Sequence, residues 1–198
     1  MKEIVINEKI SYLESSDHPL SADIGIIREN GKTWLYDVGC GEHNIATLKD
    51  EYNIVLSHFH QDHISNIDKI HHNEIYLSKE TYKRVSEGTI VEQDQYLDNL
   101  HIFPIPSSHA KGCIGLEIDK TYTFVGDALY SKPSKNGGIY NVQLLKEEIN
   151  VVKALKSPYL LVSHFKGLIR NKDEVITELE EIYKKREKNN SEIRVYPK

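Results

Sequence analysis

The chain has 198 residues, of which 28% are charged and 39% hydrophobic, and its formal net charge at pH 7 is −5. This composition is that of an ordinary globular domain, and the negative charge argues against nonspecific nucleic-acid binding. No uncharged apolar run approaches the roughly 20 residues of a membrane helix, and early charges interrupt any signal-peptide core. We therefore expect a single cytoplasmic domain over residues 1–198. The oligomeric state stays open.

The first half of the chain is rich in predicted strands. Short apolar runs predict strands near 2–7, 9–14, 23–28 and 32–36. Helices are predicted near 43–50, 62–70 and 78–87. Asn30-Gly31 predicts a hairpin turn because both residue types tolerate positive φ, and Ser78 is the expected N-cap of the third helix. His71 and His72 are expected in an exposed loop.

The second half alternates strands with two longer helices. Strands are predicted near 100–105, 113–118, 121–126, 159–163 and 192–196. A helix near 141–156 is predicted from apolar residues at helical spacing, which are Val142, Leu145, Ile149, Val152 and Leu155. Asn171 is the expected cap of a last helix that ends near Arg186. Strands with interspersed helices indicate an α/β (α+β) domain.

The most specific pattern in the chain is HFHQDH at residues 58–63, which follows the apolar run 54–56. Residues on a strand alternate faces, so His58 and His60 are expected to point the same way. Asp62 and His63 are expected at the start of a helix, where backbone N–H groups favour a carboxylate. Four metal ligands in six residues predict a metal site, whereas a lone His-x-His pair would indicate little.

Three distant residues extend this pattern. His109, Asp127 and His164 each stand at the end of a short apolar, strand-like run and are followed by small or turn-forming residues. Strand ends on one rim of a sheet can converge in space, so these residues are further candidate ligands. His18, His43 and His101 receive no role from the sequence.

This order of ligands resembles that of the metallo-β-lactamase-fold hydrolase superfamily, over nearly the whole chain. Asp37-Val38-Gly39 is similar to an early Asp-x-Gly loop of the superfamily, and Gly126-Asp127 is similar to its Gly-Asp segment. The resemblance implies a four-layer αββα sandwich. It also implies a ligand set like that of glyoxalase II, without the added carboxy-terminal domain of that enzyme.

Carried over residue by residue, the resemblance implies two divalent metal ions, with Asp127 bridging them. The first ion would be held by His58, His60 and His109, and the second by Asp62, His63 and His164. Asp62 would also orient the nucleophilic hydroxide as a catalytic residue. Zinc is the expected metal, with manganese or iron as alternatives, because a His/Asp set without thiolates suits all three.

Other residues near this pattern carry alternative interpretations. Asp37 is interpreted as a residue that orients a metal ligand, or as a simple turn residue. Tyr130 and Lys166 are candidate substrate contacts, with a structural role as the alternative. The loop 131–140 is interpreted as a lid beside the site or as a passive connection. The only two cysteines, Cys40 and Cys113, are expected to be free thiols.

The resemblance implies hydrolysis of a small-molecule thioester, lactone or related ester by a metal-bridging hydroxide. β-Lactam hydrolysis is disfavoured because zinc β-lactamases generally lack an aspartate at the position of Asp127. A phosphodiesterase or nuclease of the same superfamily remains an alternative, disfavoured because no sizeable insertion lies between Gly126 and His164. A diiron redox protein is a second alternative. Such proteins usually have a carboxylate where His60 stands.

Overall fold

The structure is a computed structural model that describes residues 3–196. Its first half, up to residue 90, contains the following elements: β1 (Glu3–Val5), β2 (Ile10–Leu13), β3 (Ser16–Asp17), β4 (Leu20–Ser21), β5 (Ile24–Glu29), β6 (Lys32–Tyr36), α1 (Glu42–Ile45), β7 (Tyr52–Val55), α2 (Gln61–Ile64), a 3-10 turn (Ile67–Lys69), β8 (His72–Leu77), α3 (Lys79–Val85) and β9 (Thr89–Ile90). Residues 1–2 and 197–198, which belong to the predicted single domain, lie outside the described residues. The first residue of the strand predicted at 2–7 is one of them.

The second half continues the same alternation of strands and helices. Its elements are β10 (Gln95–Leu97), β11 (Leu100–Ile105), β12 (Cys113–Ile118), β13 (Tyr122–Gly126), β14 (Lys132–Ser134), β15 (Gly137–Asn141), α4 (Val142–Ala154), β16 (Tyr159–Val162), β17 (Ile169–Asn171), α5 (Lys172–Lys184) and β18 (Glu192–Val195).

Two large mixed sheets form the centre of the fold. The first has the order β1-β2-β5-β6-β7-β8-β9, and the second has the order β10-β11-β12-β13-β16-β17. In the first sheet β6 to β9 run parallel, and in the second β13 and β16 run parallel. A third sheet has the order β14-β15-β18, and β3 and β4 form a separate small hairpin.

Three clusters of buried residues define the layers. One cluster joins the inner faces of the two sheets, where the Tyr36 ring stacks on Phe124 with 5.0 Å between centroids. A second lies between the second sheet and helices α4 and α5. A third lies on the outer face of the first sheet, against the 61–70 segment. The order helix, sheet, sheet, helix confirms the predicted αββα sandwich.

The predicted turn and helix caps are confirmed. Asn30 and Gly31 have φ of 49° and 73° between β5 and β6. The Ser78 hydroxyl accepts a hydrogen bond from Thr81 N–H at the start of α3, and the Asn171 side chain accepts from two N–H groups of α5. Oxygen caps of this kind satisfy N–H groups that the helix leaves free.

Two predicted helices are wrong in length. The segment predicted as a helix over 62–70 is broken between α2 and the 3-10 turn, because Asn66 donates to the carbonyls of Val38 and Gly41 at 3.0 and 3.1 Å. The helix predicted over 43–50 ends at Ile45. A turn follows, in which Leu48 N–H donates to the Ile45 carbonyl, and it leads the chain into β7.

Two segments predicted as loops are strands. The 131–140 segment contains the β14-β15 hairpin, which pairs with β18 at the end of the chain. The hairpin was not predicted because the segment contains Pro133 and glycines at 137 and 138, and such residues usually interrupt strands. His72 begins β8 and does not lie in an exposed loop, although His71 is exposed.

Candidate metal centre

The candidate ligands lie at one rim, where several strands end. β7, β11, β13 and β16 all finish there and lead into residues 58–63, 109, 127 and 164. β11 runs in the same direction as β13 because each is antiparallel to β12. The sheets are joined at this rim by a hydrogen bond from Ile114 N–H to the Ser57 carbonyl, 2.8 Å long. This topology brings residues more than 100 positions apart into one site.

The first group of ligands contains His58, His60 and His109. His60 Nδ1 lies 2.9 Å from His58 Nε2 and 3.1 Å from His109 Nε2. β7 ends at Val55, so His58 and His60 lie in the loop after the strand. The expectation that they share one face of a strand was therefore wrong, although the two rings do meet.

The second group contains Asp62, His63, Asp127 and His164. Asp62 Oδ2 lies 3.0 Å from His164 Nε2 and 3.5 Å from His63 Nε2. Asp127 Oδ2 lies 3.4 Å from His63 Nε2. Four side chains from three parts of the chain thus turn nitrogen and oxygen atoms toward one another.

Asp127 connects the two groups. Its Oδ2 is 3.4 Å from His63 Nε2 in the second group and 3.3 Å from His109 Nε2 in the first. Gly126, directly before it, has φ +55°, and a Cβ there would lie 2.7 Å from Ser57 Cβ. Only glycine fits this turn without a shift, and the turn places the Asp127 carboxylate between the two ligand groups.

A buried carboxylate orients the ring of His63. Asp37 Oδ2 lies 2.7 Å from His63 Nδ1 and accepts a bond of 2.7 Å from the Ser57 hydroxyl, while its Oδ1 accepts from Ser57 N–H at 2.7 Å. With Nδ1–H directed at Asp37, the lone pair of His63 Nε2 faces the ligand group. Such carboxylate contacts commonly fix the tautomer of a metal-binding histidine.

The two groups differ in electrostatic character. Burial lowers the pKa of His58, and the neighbouring rings of His63 and His60 lower it further. Burial likewise lowers the pKa of His60 and His109, so these rings are neutral and their lone pairs are available. A neutral imidazole is the form that binds metal.

At His63 the pKa is shifted in the opposite direction. Burial acts against a charged ring, but the carboxylates of Asp37 and Asp127 outweigh it and raise the pKa of His63 to about 10. The surroundings of this ring thus favour positive charge. A metal cation at the second group would supply that charge in place of a proton.

Unpartnered atoms also fit a bound cation. His63 Nε2 and Asp127 Oδ1 are buried, and neither has a hydrogen-bond partner among residues 3–196. Buried polar atoms are normally paired, so both atoms are suited to ligation. Imidazole and carboxylate are ligands that zinc accepts, and the seven residues therefore fit the expected pair of ions.

Asp23 belongs to the surroundings of this centre and carried no signal in the sequence. Its Oδ1 accepts from Ser15 N–H at 3.0 Å, and its Oδ2 accepts from His164 N–H at 2.9 Å and from the Ser163 hydroxyl at 3.4 Å. His164 has φ +59°, a conformation that costs energy for a residue other than glycine. Asp23 thus holds the strained turn that presents the last ligand.

The two candidate substrate contacts differ in position. The Tyr130 ring lies 6.3 Å from that of His109, but its hydroxyl donates to the Ser163 carbonyl at 2.8 Å. Lys166 is exposed and forms neither a hydrogen bond nor an ion pair with the described residues. The hydroxyl of Tyr130 therefore has a structural contact, and the substrate role of both residues stays a prediction.

The other histidines and the cysteines lie outside both groups. His18 and His43 are exposed, and His101 lies on β11, 3.1 Å from Asp94. Cys40 and Cys113 are free, as predicted. Within residues 3–196, no histidine beyond the predicted five joins a ligand group.

Comparison with solved structures identifies the fold. The metallo-β-lactamase DIM-1 superposes with a TM-score of 0.72 at 14% identity, over 92% of this chain and 96% of that one. The chain has the metallo-β-lactamase fold. The mono-zinc form of the metallo-β-lactamase FIM-1 from Pseudomonas aeruginosa gives a TM-score of 0.67 at 15% identity, over 91% and 94%.

Another solved structure with this fold is that of the chemotaxis sensor ODP with a peroxy diiron species. It gives a TM-score of 0.65 at 16% identity, over 92% of this chain and 94% of that one. No family model and no curated protein sequence matches the chain. Within residues 3–196, no helix is long and apolar enough to cross a membrane.

Proposed function

We propose that this protein is a dinuclear metal-dependent hydrolase that acts on a small-molecule thioester, lactone or related ester. The observation that carries the proposal is the position of Asp127, whose Oδ2 lies within 3.4 Å of a histidine nitrogen in each ligand group. One carboxylate within reach of two groups suits two ions that share it. The likeness to metallo-β-lactamases supports the fold that such chemistry uses.

Each group would have its own part in the proposed centre. His58, His60 and His109 would hold one ion, and Asp62, His63 and His164 the other, with Asp127 common to both. Two neighbouring divalent ions, when bound, would lower the pKa of a water molecule so that it can act as a hydroxide nucleophile. Their positive charge would also stabilise the oxyanion. Zinc is our proposed metal, since the seven ligands include no thiolate and five are imidazoles.

Asp62 is the residue to which we assign a catalytic role. Its side chain is 16% exposed, and its Oδ2 lies 3.0 Å from His164 Nε2, so this ring fixes the carboxylate while leaving it open to solvent. Asp62 can accept a hydrogen bond from the attacking water and orient it toward the substrate carbonyl. A positioned base of this kind typically contributes about 10²–10⁴-fold to the rate.

The proposal is tested with a panel of substrates and two variants. Zinc-loaded protein is assayed with an aryl thioester, a lactone, an aryl ester and bis-p-nitrophenyl phosphate. We expect turnover of a carboxylic substrate, and its loss in Asp62→Ala and His109→Ala with the circular dichroism spectrum retained. His43→Ala, on the exposed side of α1, is the matched control. Turnover of the phosphodiester alone would support the nuclease alternative, and unchanged turnover in either variant would refute the assigned roles.

A second candidate function is that of a diiron redox protein. The likeness to the chemotaxis sensor ODP, solved with a peroxy diiron species, favours it. The centre proposed here would hold iron through the same seven side chains. Iron-loaded protein with a visible absorption band that changes with oxygen, and without hydrolysis of any carboxylic substrate in the panel, would support this candidate over the first.

A further inference from the structure

A cavity of about 610 Å³ opens beside the first ligand group. His60 and His109 stand at one side of it. Its apolar wall contains Phe59, Ile105, Pro106 and Leu144. The volume suits a small organic molecule, for which mostly apolar cavities with a few polar groups are typical. A substrate bound at the metal centre could extend into this space.

The charged groups that line the cavity have one sign. Lys111 and Lys132 line it, and no carboxylate does, although the whole chain carries a net charge of −5. The neighbouring cavity shares Lys111 but also has three carboxylates, Glu80, Glu92 and Asp94, in its lining. The positive wall is therefore a local feature and does not reflect the average surface.

The two lysines are not equivalent. Lys111 lies 3.4 Å from Glu80 Oε1, and its side chain is 84% exposed, so its charge is partly compensated. Lys132 has no ion-pair partner among residues 3–196. It lies on β14, and the pairing of β14 with β15, and of β15 with β18, fixes its backbone beside the cavity.

We propose that the substrate of this site is an anionic ester or thioester, with an apolar segment between the reacting carbonyl and a terminal carboxylate or similar anion. The proposal rests on the proposed hydrolase function and adds the class of substrate. The carbonyl would lie at the metal centre and the apolar segment against Phe59 and Leu144. The anion would then lie near Lys132, with Lys111 as a weaker second contact.

The binding test uses two six-carbon acids that differ in one carboxylate. Adipate and hexanoate are titrated into zinc-loaded protein by isothermal calorimetry. Both offer a carboxylate to the metals and an apolar chain to the wall, but only adipate has an anion for the lysines. Because exposed ion pairs are weak, we expect adipate to bind about two- to fivefold more tightly.

Three variants locate the source of that preference. Lys132→Gln should remove most of it and leave the affinity for hexanoate unchanged, while Lys111→Gln should remove less. Lys135→Gln is the matched control, because Lys135 is exposed at the turn of the same hairpin and does not line the cavity. Equal affinities for the two acids, a preference unchanged in Lys132→Gln, or no measurable adipate binding would each overturn the proposal.

A kinetic test separates this inference from the proposed function. The mono-p-nitrophenyl ester of adipic acid and p-nitrophenyl hexanoate are compared as substrates. We expect Lys132→Gln to raise KM for the anionic ester alone, with kcat retained. Hydrolysis of both esters at equal efficiency would refute the substrate class and leave the hydrolase standing. A lysine-dependent preference for adipate without hydrolysis of either ester would refute the hydrolase and retain the anion site.

Discussion

The carboxylate of Asp37 sets which nitrogen of His63 faces the ligand group. It is fully buried, and its Oδ2 lies 2.7 Å from His63 Nδ1. We predict that Asp37→Asn weakens metal binding at the second group by about 10–100-fold, as is typical for the loss of such partners. Competition with a chromogenic chelator measures this. Asp68→Asn, on an exposed position of the 3-10 turn, is the control, and equal affinities in the two variants would refute the assignment.

Glu148 is a second buried carboxyl, outside the candidate centre. It lies in the core-facing side of α4 with Leu145 and Ile149, and neither of its oxygens has a hydrogen-bond partner among residues 3–196. Burial raises the pKa of Glu148 well above its usual range. The folded protein therefore keeps this proton to a higher pH than the unfolded chain, which releases it above about pH 4.5.

This difference makes stability depend on pH. Above about pH 4.5 the unfolded chain binds fewer protons at Glu148, so each pH unit lowers the free energy of unfolding by up to about 1.4 kcal/mol until the folded pKa is reached. Glu148→Gln should remove this slope, and denaturant melts from pH 4 to 9 measure it. The neighbouring, exposed Glu147→Gln is the control. Parallel curves for wild type and Glu148→Gln would contradict the prediction.

The starts of the helices depend on capping residues that can be recognised in the sequence. At the start of α5 the Asn171 side chain accepts from Asp173 N–H at 2.9 Å and from Glu174 N–H at 3.3 Å. We predict that Asn171→Ala lowers the free energy of unfolding by about 1 kcal/mol and leaves metal affinity unchanged. Chemical denaturation measures the change. Asn136→Ala, at an exposed turn, should have little effect, and an equal loss in both variants would contradict the assigned cap.

The elements that were predicted correctly have such local signals, and those that were missed do not. Asn30-Gly31 and Asn171 each act within a few residues, so their turn and cap could be predicted. The β14-β15 hairpin depends on pairing with β18, about 55 residues later, which no local pattern reports. The break at Asn66 likewise depends on carbonyls of the 38–41 segment. Long-range contacts therefore overrode local propensity at these places.

The candidate site was easier to predict than parts of the fold. All seven candidate ligands have side chains that can bind metals, and each follows an apolar run, so residue type and position both indicated them. Asp23 and Ser57 were missed because they act through hydrogen bonds to other residues. Such contacts become visible only when the chain is folded.

At the scale of the whole molecule, Asp23 links the two halves of the chain. It precedes β5 in the first half and accepts from His164 N–H, 141 positions later. We predict that Asp23→Ala weakens metal binding at the second group and lowers the free energy of unfolding by about 1–3 kcal/mol, because it leaves the partly buried N–H groups of Ser15 and His164 unpaired. Stepwise calorimetric titration with zinc measures the first effect, and denaturant melts measure the second.

The control for Asp23 is Asp17→Ala, at an exposed position of the β3-β4 hairpin. Asp23→Asn keeps an acceptor of similar shape and should retain more stability than Asp23→Ala. If Asp23→Ala matched the wild type in both zinc affinity and stability, the strained turn at His164 would not depend on this carboxylate.

We propose that seven side chains from four parts of the rim hold two metal ions. Elemental analysis of purified, zinc-reconstituted protein tests it most directly, with the double variant His58→Ala/His60→Ala as a comparison. We predict about two divalent ions per chain in the wild type and about one in the double variant. Wild-type protein that holds no metal after reconstitution, or a double variant that still holds two ions, would contradict it.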